Sequence, residues 1–398
     1  MTSFSSRWGE EELAELAAAL RQPSLFYWKG ERTAAMGEAF RALYPFKYWF
    51  PCSSGSAAIH IAMAALRLQP GDEVIVPPVT DMGSVVGILY QQAVPVFADL
   101  DPRTYNLDPV AVERVVTPRT RAVLAVHLAG TPCNVSALKE LAKKRGFRVV
   151  EDCAQAWGAI HRGKPVGLHG DFGCYSLNDY KHISCGDGGV VGTQDEELGP
   201  SLGKWGDKSY DRMAALANPA ALRDVGDLAP NYRISELQSA VATVQLRKLP
   251  AIVARRVKIG NRLNEMLGDV PGILPPVVSP GDVSSFWFYF FRTQPERLTG
   301  SRNEFVAALK ADGVPARAGY LERPLYRYRV FQNHNFFGGK WPARDFGLTT
   351  MDYREVKCPV AEAILADGVI INLSERMTDV EVEKIGGAVA VAARRFLK

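Results

Sequence analysis

The sequence predicts an α/β protein, with a large domain on a mostly parallel sheet followed by a smaller C-terminal α+β domain. Three observations predict it. From Tyr48 to Asp152, short apolar runs alternate with helix-length segments, the rhythm of β/α units that wind a parallel sheet. The runs are continuously apolar rather than alternating, as strands are when helices cover both faces. After Gly170 the rhythm gives way to paired strands, long helices and Pro-rich turns. A chain of 398 residues has room for two domains, at roughly 100–200 residues each.

Taken in order, the first 25 residues are a helical segment. Lys47–Pro51 reads as a strand and Ser56–Leu68 as a helix. Strands follow at Glu73–Val76, Val94–Ala98, Ala122–His127 and Phe147–Val150, the last running into Glu151-Asp152. Between them, Gly83–Tyr90, Pro109–Val116 and Val135–Arg145 read as helices. Phe172–Leu177 and Gly189–Gly192 are two further strands, joined by a loop that holds Lys181 and the run Gly186-Asp187-Gly188-Gly189. Ser201–Pro230 is irregular. Ser235 is a good N-cap for a helix to Leu249, and Pro250 to about Leu267 reads as another. Beyond Gly272 come Pro-rich turns, an aromatic strand Phe286–Phe291, and helices near Arg302–Asp312 and Thr378–Phe396. The domain division falls near 250, giving 1–249 and 250–398.

Composition narrows the function. With 47% hydrophobic and 23% charged residues, the chain lies far from the disordered corner. A formal charge of +4 with no run of five Lys or Arg argues against a nucleic-acid partner. Met1–Leu25 has no charged leader ahead of an apolar core, so it is not a signal peptide. The apolar helix at Ala57–Leu66 is far short of the ~20 residues that span a bilayer. A cytoplasmic protein with no membrane partner is expected. Six cysteines form no C-x-x-C pair and six histidines show no H-E-x-x-H spacing. Reduced structural thiols and no bound metal are the expectation.

Three features carry chemistry. Ser54-Gly55-Ser56 lies between a strand and a helix, where free N–H groups and a partial positive charge of about +0.5 suit a phosphate. Taken alone, it reads more readily as a Ser-capped core helix. Asp152 stands at the carboxyl end of a strand, the edge where open α/β sheets bind ligands. A carboxylate there can hold a pyridine nitrogen protonated, or it can simply cap a helix. Gln155 is three residues on, within reach of the same ligand. Lys181 sits in the polar loop Asn178–Ser184. A partly desolvated lysine has a lowered pKa that suits Schiff-base formation, although an isolated loop lysine is more often solvated. Ser176 ends the preceding strand and is a second phosphate donor. The Gly186–Gly189 run precedes a strand, so it is no dinucleotide fingerprint.

With these residues in place, the chain resembles the DegT/DnrJ/StrS family of pyridoxal-phosphate aminotransferases over roughly residues 25 to 397. The resemblance rests on Ser54-Gly-Ser-Ala-Ala58, Glu73-Val-Ile-Val-Pro77, Pro95-Val-Phe-Ala-Asp99, Val126-His-Leu-Ala-Gly130 and Glu151-Asp-Cys-Ala-Gln-Ala156. It extends through Tyr175-Ser176, Lys181, Gly186-Asp-Gly-Gly189 and Asn231-Tyr-Arg-Ile-Ser-Glu-Leu-Gln238. It implies a fold-type-I transferase that moves an amino group from glutamate or glutamine to a keto-sugar or keto-cyclitol. Lys181 would hold pyridoxal 5'-phosphate as a Schiff base and later shuttle the proton. Asp152 would pair with the ring nitrogen and Gln155 with the ring hydroxyl. Ser54, Gly55, Ser56 and Ser176 would take the phosphate, and Asn231 would reach it from the neighbouring subunit of a homodimer.

The chain departs from the family pattern in three places. The ring-facing position, usually aromatic, is Asp81; Ala229-Pro230 replaces a Gly-aromatic pair; and residue 182, often asparagine, is histidine. Arg323-Pro-Leu-Tyr326 and Cys358–Glu362 are similar to the branch acting on keto-cyclitols and aminoglycoside precursors. His182, Tyr320, Arg323 and Tyr326 are candidate substrate contacts. Two other functions compete, a lyase of the same fold and a non-catalytic cofactor-binding regulator. Family dehydratases carry histidine in place of the lysine, and Lys181 argues against them.

Overall fold

The apolar runs of the first half become strands in the computed structural model, which describes residues 7–222 and 225–398. In chain order these are β1 (Tyr48–Cys52), β2 (Glu73–Val76), β3 (Val94–Phe97), β4 (Thr120–Val126) and β5 (Arg148–Asp152). A short hairpin, β6 (Ile160–His161) and β7 (Lys164–Pro165), precedes β8 (Phe172–Ser176) and β9 (Gly189–Thr193). One seven-stranded sheet runs β1-β9-β8-β5-β4-β2-β3. Only β9 opposes its neighbours; the other pairings are parallel. The parallel strands therefore share one carboxyl edge, and Cys52, Asp152 and Ser176 all end there. Gly189 pairs with both Cys52 and Ser176. A Cβ on it would stand 2.3 Å from the Ser54 carbonyl oxygen, so only glycine lets the 54–56 turn close onto the sheet.

The second sheet holds β10 (Ile273–Leu274), β11 (Phe288–Thr293), β12 (Ala316–Ala318) and β13 (Gly368–Asn372), in the order β10-β11-β13-β12 with every pair antiparallel. Its two faces serve two cores. Phe288, Phe290 and Ile370 join the large core, whereas Tyr289, Phe291, Val369 and Ile371 pack under helices Arg302–Ala311 and Asp379–Phe396. This is the period-two alternation of a strand. Residues 320–365 return to the large core through Leu325, Tyr326, Phe331, Tyr353 and Ile364. Asp99 accepts hydrogen bonds from the Val360 and Ala361 N–H groups at 3.0 and 2.9 Å and so caps helix Pro359–Asp367. This return brings Tyr320 toward the carboxyl edge.

One expectation fails at Pro250. In place of two helices there is one, Glu236–Leu267, with Pro250 inside and a capping box on Ser235. A mid-helix proline costs about 3 kcal/mol. Leu246 and Leu249 are buried in the large core and Ile259, Leu263 and Leu267 in the small one. At about 1.5–3 kcal/mol for each buried side chain, this packing outweighs the proline. The helix thus crosses the expected division at 250 without a break. The Ser201–Pro230 stretch carries only short helices, such as Leu202–Gly206 and Ala214–Ala217. Helix Glu31–Leu43 has its start capped from afar by Glu236, which accepts from the Arg32 and Thr33 N–H groups at 2.8 and 2.9 Å. No helix among the described residues is long and apolar enough to cross a membrane. The six cysteines are free, and burial pushes the Cys52 and Cys133 thiols up to about 12.

Candidate active site

The β8–β9 loop presents Lys181 because its ends are tied to each other. Leu177 N–H donates to the Gly188 carbonyl at 2.8 Å, and Cys185 N–H to the Leu177 carbonyl at 3.1 Å. The Asn178 amide donates to Asp187 Oδ1 at 3.0 Å. Lys181 is half-buried and lines a cavity of about 850 Å³. Its Nζ lies 3.9 Å from the centre of the Trp287 ring. Burial holds the amine below the ordinary lysine range, against the opposing charges of Asp152 and Asp81. Burial of this kind disfavours the charged form of an amine.

Asp152 is buried at the end of β5, 4% exposed. Oδ2 accepts from the Ser84 hydroxyl at 2.7 Å and Oδ1 from the Ala154 N–H at 3.0 Å. Ser84 is in turn linked to Thr80 Oγ1 at 2.7 Å. Burial raises the Asp152 carboxyl above its ordinary value, while the Ser84 and Ala154 bonds and the Lys181 charge pull it back. A buried carboxylate in this state is stabilised by any cationic N–H brought to its free lone pairs. Glu151 points elsewhere. It accepts from the Gly167 and His169 N–H groups at 2.7 and 2.8 Å, from the Gly170 N–H, and from His127 Nε2 at 3.1 Å. Cys133 N–H donates to His127 Nδ1 at 2.9 Å, which leaves the proton on Nε2. With Cys153, this pair is a cluster of metal-ligand type, but its oxygen and nitrogen atoms are already used internally.

The 54–56 turn meets Ser176. Ser54 caps helix Gly55–Ala65 through the Ala57 N–H at 3.1 Å. The Gly55 and Ser56 N–H groups belong to the first turn, which has no intrahelical acceptors. A Cβ on Gly55 would stand 2.7 Å from Ser176 Cβ, and one on Gly83 would stand 2.3 Å from Ser56 Oγ and 3.0 Å from Asp81 Oδ1. Gly55 thus packs against Ser176, and Gly83 against Ser56 and Asp81; of these residues only Asp81 lines the cavity of Lys181. Asp81 is exposed, lines the cavity and accepts from the Gly83 N–H at 2.7 Å. Gln155 fixes its oxygen on the Ala129 N–H at 3.0 Å and donates to the Tyr320 hydroxyl at 3.2 Å. Tyr320 lines the cavity.

The other candidates are elsewhere. His182 is fully buried, with Nε2 donating to the Ser285 carbonyl at 3.1 Å. Burial holds it well below the ordinary histidine range, helped by the Arg256 charge. It is a neutral core side chain and does not line the cavity. Tyr326 is also fully buried, its hydroxyl donating to Glu362 at 2.6 Å. Arg323 is exposed beside Glu322 at 3.5 Å. Asn231 is exposed and accepts from the Arg233 N–H at 3.4 Å. Sequence reasoning missed Ser84, Trp287 and the buried Arg256, which pairs with Glu375 at 2.8 Å. It also missed Arg7 and Trp8, which line the cavity; Arg7 donates to the Asp179 carbonyl at 2.7 Å. Chain-local signals for them were weak, since each partner is distant in sequence.

The profile of the DegT/DnrJ/EryC1/StrS aminotransferase family matches residues 7–390. The chain belongs to that family. It is similar to a GDP-perosamine synthase of Caulobacter vibrioides, 29% identical over 349 residues that cover 87% of this chain and 86% of the relative. Among solved structures, it resembles an aminotransferase from Psychrobacter cryohalolentis, with 25% identity, 99% of both chains covered and a TM-score of 0.89. The aminotransferase TlmJ from Streptoalloteichus hindustanus gives 26% identity, 99% coverage of both chains and a TM-score of 0.82. The fold is that of the fold-type-I transferases, and the protein is an aminotransferase of the DegT/DnrJ/EryC1/StrS family. The match begins at residue 7, ahead of the expected residue 25, and so takes in Arg7 and Trp8.

Proposed function

We propose that the protein moves the amino group of glutamate or glutamine to a keto-sugar or keto-cyclitol, on the way to an amino sugar, an aminocyclitol or an antibiotic precursor. Pyridoxal 5'-phosphate is the cofactor of this reading, bound through Lys181. The name of the Caulobacter relative, a GDP-perosamine synthase, supports a sugar acceptor. The residues fit the cofactor on three counts. The Lys181 amine faces a cavity and contacts an indole, the Asp152 carboxylate is buried with lone pairs to spare, and the Gly55 and Ser56 N–H groups open a helix beside Ser176.

When bound, the cofactor supplies an aldehyde that carries the amino group and a ring that takes up electrons as a C–H bond breaks. The chain does the rest. Lys181 offers its uncharged amine, then takes the proton from the donor carbon and, in the second half-reaction, delivers one to the acceptor carbon. Asp152, oriented by Ser84, holds the proton of the ring nitrogen. The Gly55 and Ser56 N–H groups and the hydroxyls of Ser54, Ser56 and Ser176 bind the phosphate. Gln155, already oriented by Ala129 and Tyr320, sits toward the ring hydroxyl. Asn231 of the partner subunit completes the phosphate site in a homodimer, a role that its exposure in the single chain allows.

The observation that carries this reading is the Lys181 amine set in the cavity beside a buried carboxylate. Borohydride reduction of cofactor-loaded protein should label residue 181, and Lys181→Ala should lose the visible absorption band. Glutamate or glutamine should convert that band to the amine form of the cofactor. A loaded protein that no amino donor converts would sink the proposal.

A further inference from the structure

Lys181 and Trp287 meet charge to face, with Nζ 3.9 Å from the indole centre. Among the described residues no hydrogen bond or ion pair is made by that nitrogen; the carboxylates of Asp152 and Asp81 act on it only through their charge. The indole is held from several directions. Its Nε1 donates to the carbonyl of Tyr180, the residue before the lysine, at 2.6 Å. The Trp287 N–H donates to the Ala129 carbonyl at 2.9 Å. Its own carbonyl accepts from Arg256 at 3.0 Å. Tyr320 stands edge-on at 6.2 Å between ring centres.

This arrangement resolves a conflict in what a nucleophilic lysine needs. A free amine on a long side chain must be held in one place, yet a carboxylate or carbonyl partner would bind its proton and occupy its lone pair. An aromatic face attracts the ammonium electrostatically without accepting a proton covalently or by a strong hydrogen bond. Once the amine is neutral, the attraction fades and the lone pair is available. Residue 81, the family's aromatic position, is Asp here, so it cannot supply such a face. We propose that the face of Trp287 is the positioning surface for the Lys181 amine, holding it in the cavity and setting how readily it gives up its proton. The proposal rests on the reading of Lys181 as the cofactor lysine.

The test changes the face and keeps the shape. Tryptophan with one, two or three ring fluorines is placed at position 287 alone, which weakens the negative face of the ring without opening a cavity. Lysine acetylation by a trace of anhydride is followed across pH on the cofactor-free full-length chain, and each peptide is quantified by mass spectrometry. Asp152 and Asp81 also face the amine, and Arg7, Asp179, Arg256, Arg317, Glu375 and Arg376 share the cavity. All are unchanged through the series, so their effects cancel. With the ammonium stabilised less at each step, the Lys181 midpoint should fall in order, by about 0.5 pH at three fluorines. The other lysines should not move. A Lys181 midpoint that stays put or rises overturns the proposal. Borohydride mapping on the cofactor-loaded protein is a separate readout. A midpoint that falls while residue 181 stays unlabelled upholds the indole contact and rejects Lys181 as the cofactor lysine.

Discussion

Replacing Glu151 with glutamine should destabilise the protein strongly at neutral pH and leave the cofactor chemistry intact. The side chain is fully buried, and each carboxylate oxygen faces two donors, His169 and Gly170 N–H on one and Gly167 N–H and His127 Nε2 on the other. Glutamine puts an NH2 group against one of these donor pairs. Two hydrogen bonds to a charged acceptor are lost, at about 1.5–3 kcal/mol each. The expected total is about 3–6 kcal/mol. For 398 residues the unfolding entropy is about 0.8 kcal/mol/K, so Tm should fall by about 4–7 °C. The pH dependence has a definite sign. Burial raises the Glu151 carboxyl, but the His127 hydrogen bond and the backbone N–H groups hold it below its ordinary value on balance. Its stabilisation is therefore present above the unfolded value of 4.5 and is lost as pH falls through the lower folded value. Melts of Glu151→Gln and wild type should differ most near neutrality and converge in acid. Equal Tm at pH 7, or a gap that widens in acid, would refute the argument.

Two further changes probe the site and its frame. Gly55→Ala sets a Cβ 2.7 Å from Ser176 Cβ; at about 1–3 kcal/mol for such overpacking, the Kd for pyridoxal phosphate should rise roughly tenfold or more by absorbance titration, and an unchanged Kd counts against the phosphate assignment. Asp207 is buried and binds Tyr27 at 2.6 Å, Arg212 at 2.7 Å and Arg233 at 2.8 Å, and it bridges to Asn231. Asp207→Asn should cost about 3 kcal/mol and speed proteolytic cleavage between residues 208 and 230; wild-type cleavage rates would show that the ion pairs do not hold that segment.

The strands were legible because burial on both faces leaves a mark on every residue of the run, and β2 and the helices at 83–90 and 135–145 fall where periodicity puts them. Asp152 and Ser176 were legible for a related reason, since a polar residue ending an apolar strand in this fold stands at the carboxyl edge. Pro250 misled because propensity weighs a residue by itself, whereas the helix is held by two cores on either side of the proline. His182 misled in another way. A polar residue next to the proposed cofactor lysine suggests a shared ligand, but its ring turns to Ser285, 103 positions away. Trp287 was read as one aromatic in a strand from Phe286, and the strand begins at Phe288. That leaves the indole outside the sheet, with its Nε1 on the Tyr180 carbonyl and its face to the amine. The reactivity proposed for Lys181 depends on which groups stay away from Nζ as much as on which approach it. Such an arrangement is set by the packing of distant segments, and neither a motif nor a spacing can record it.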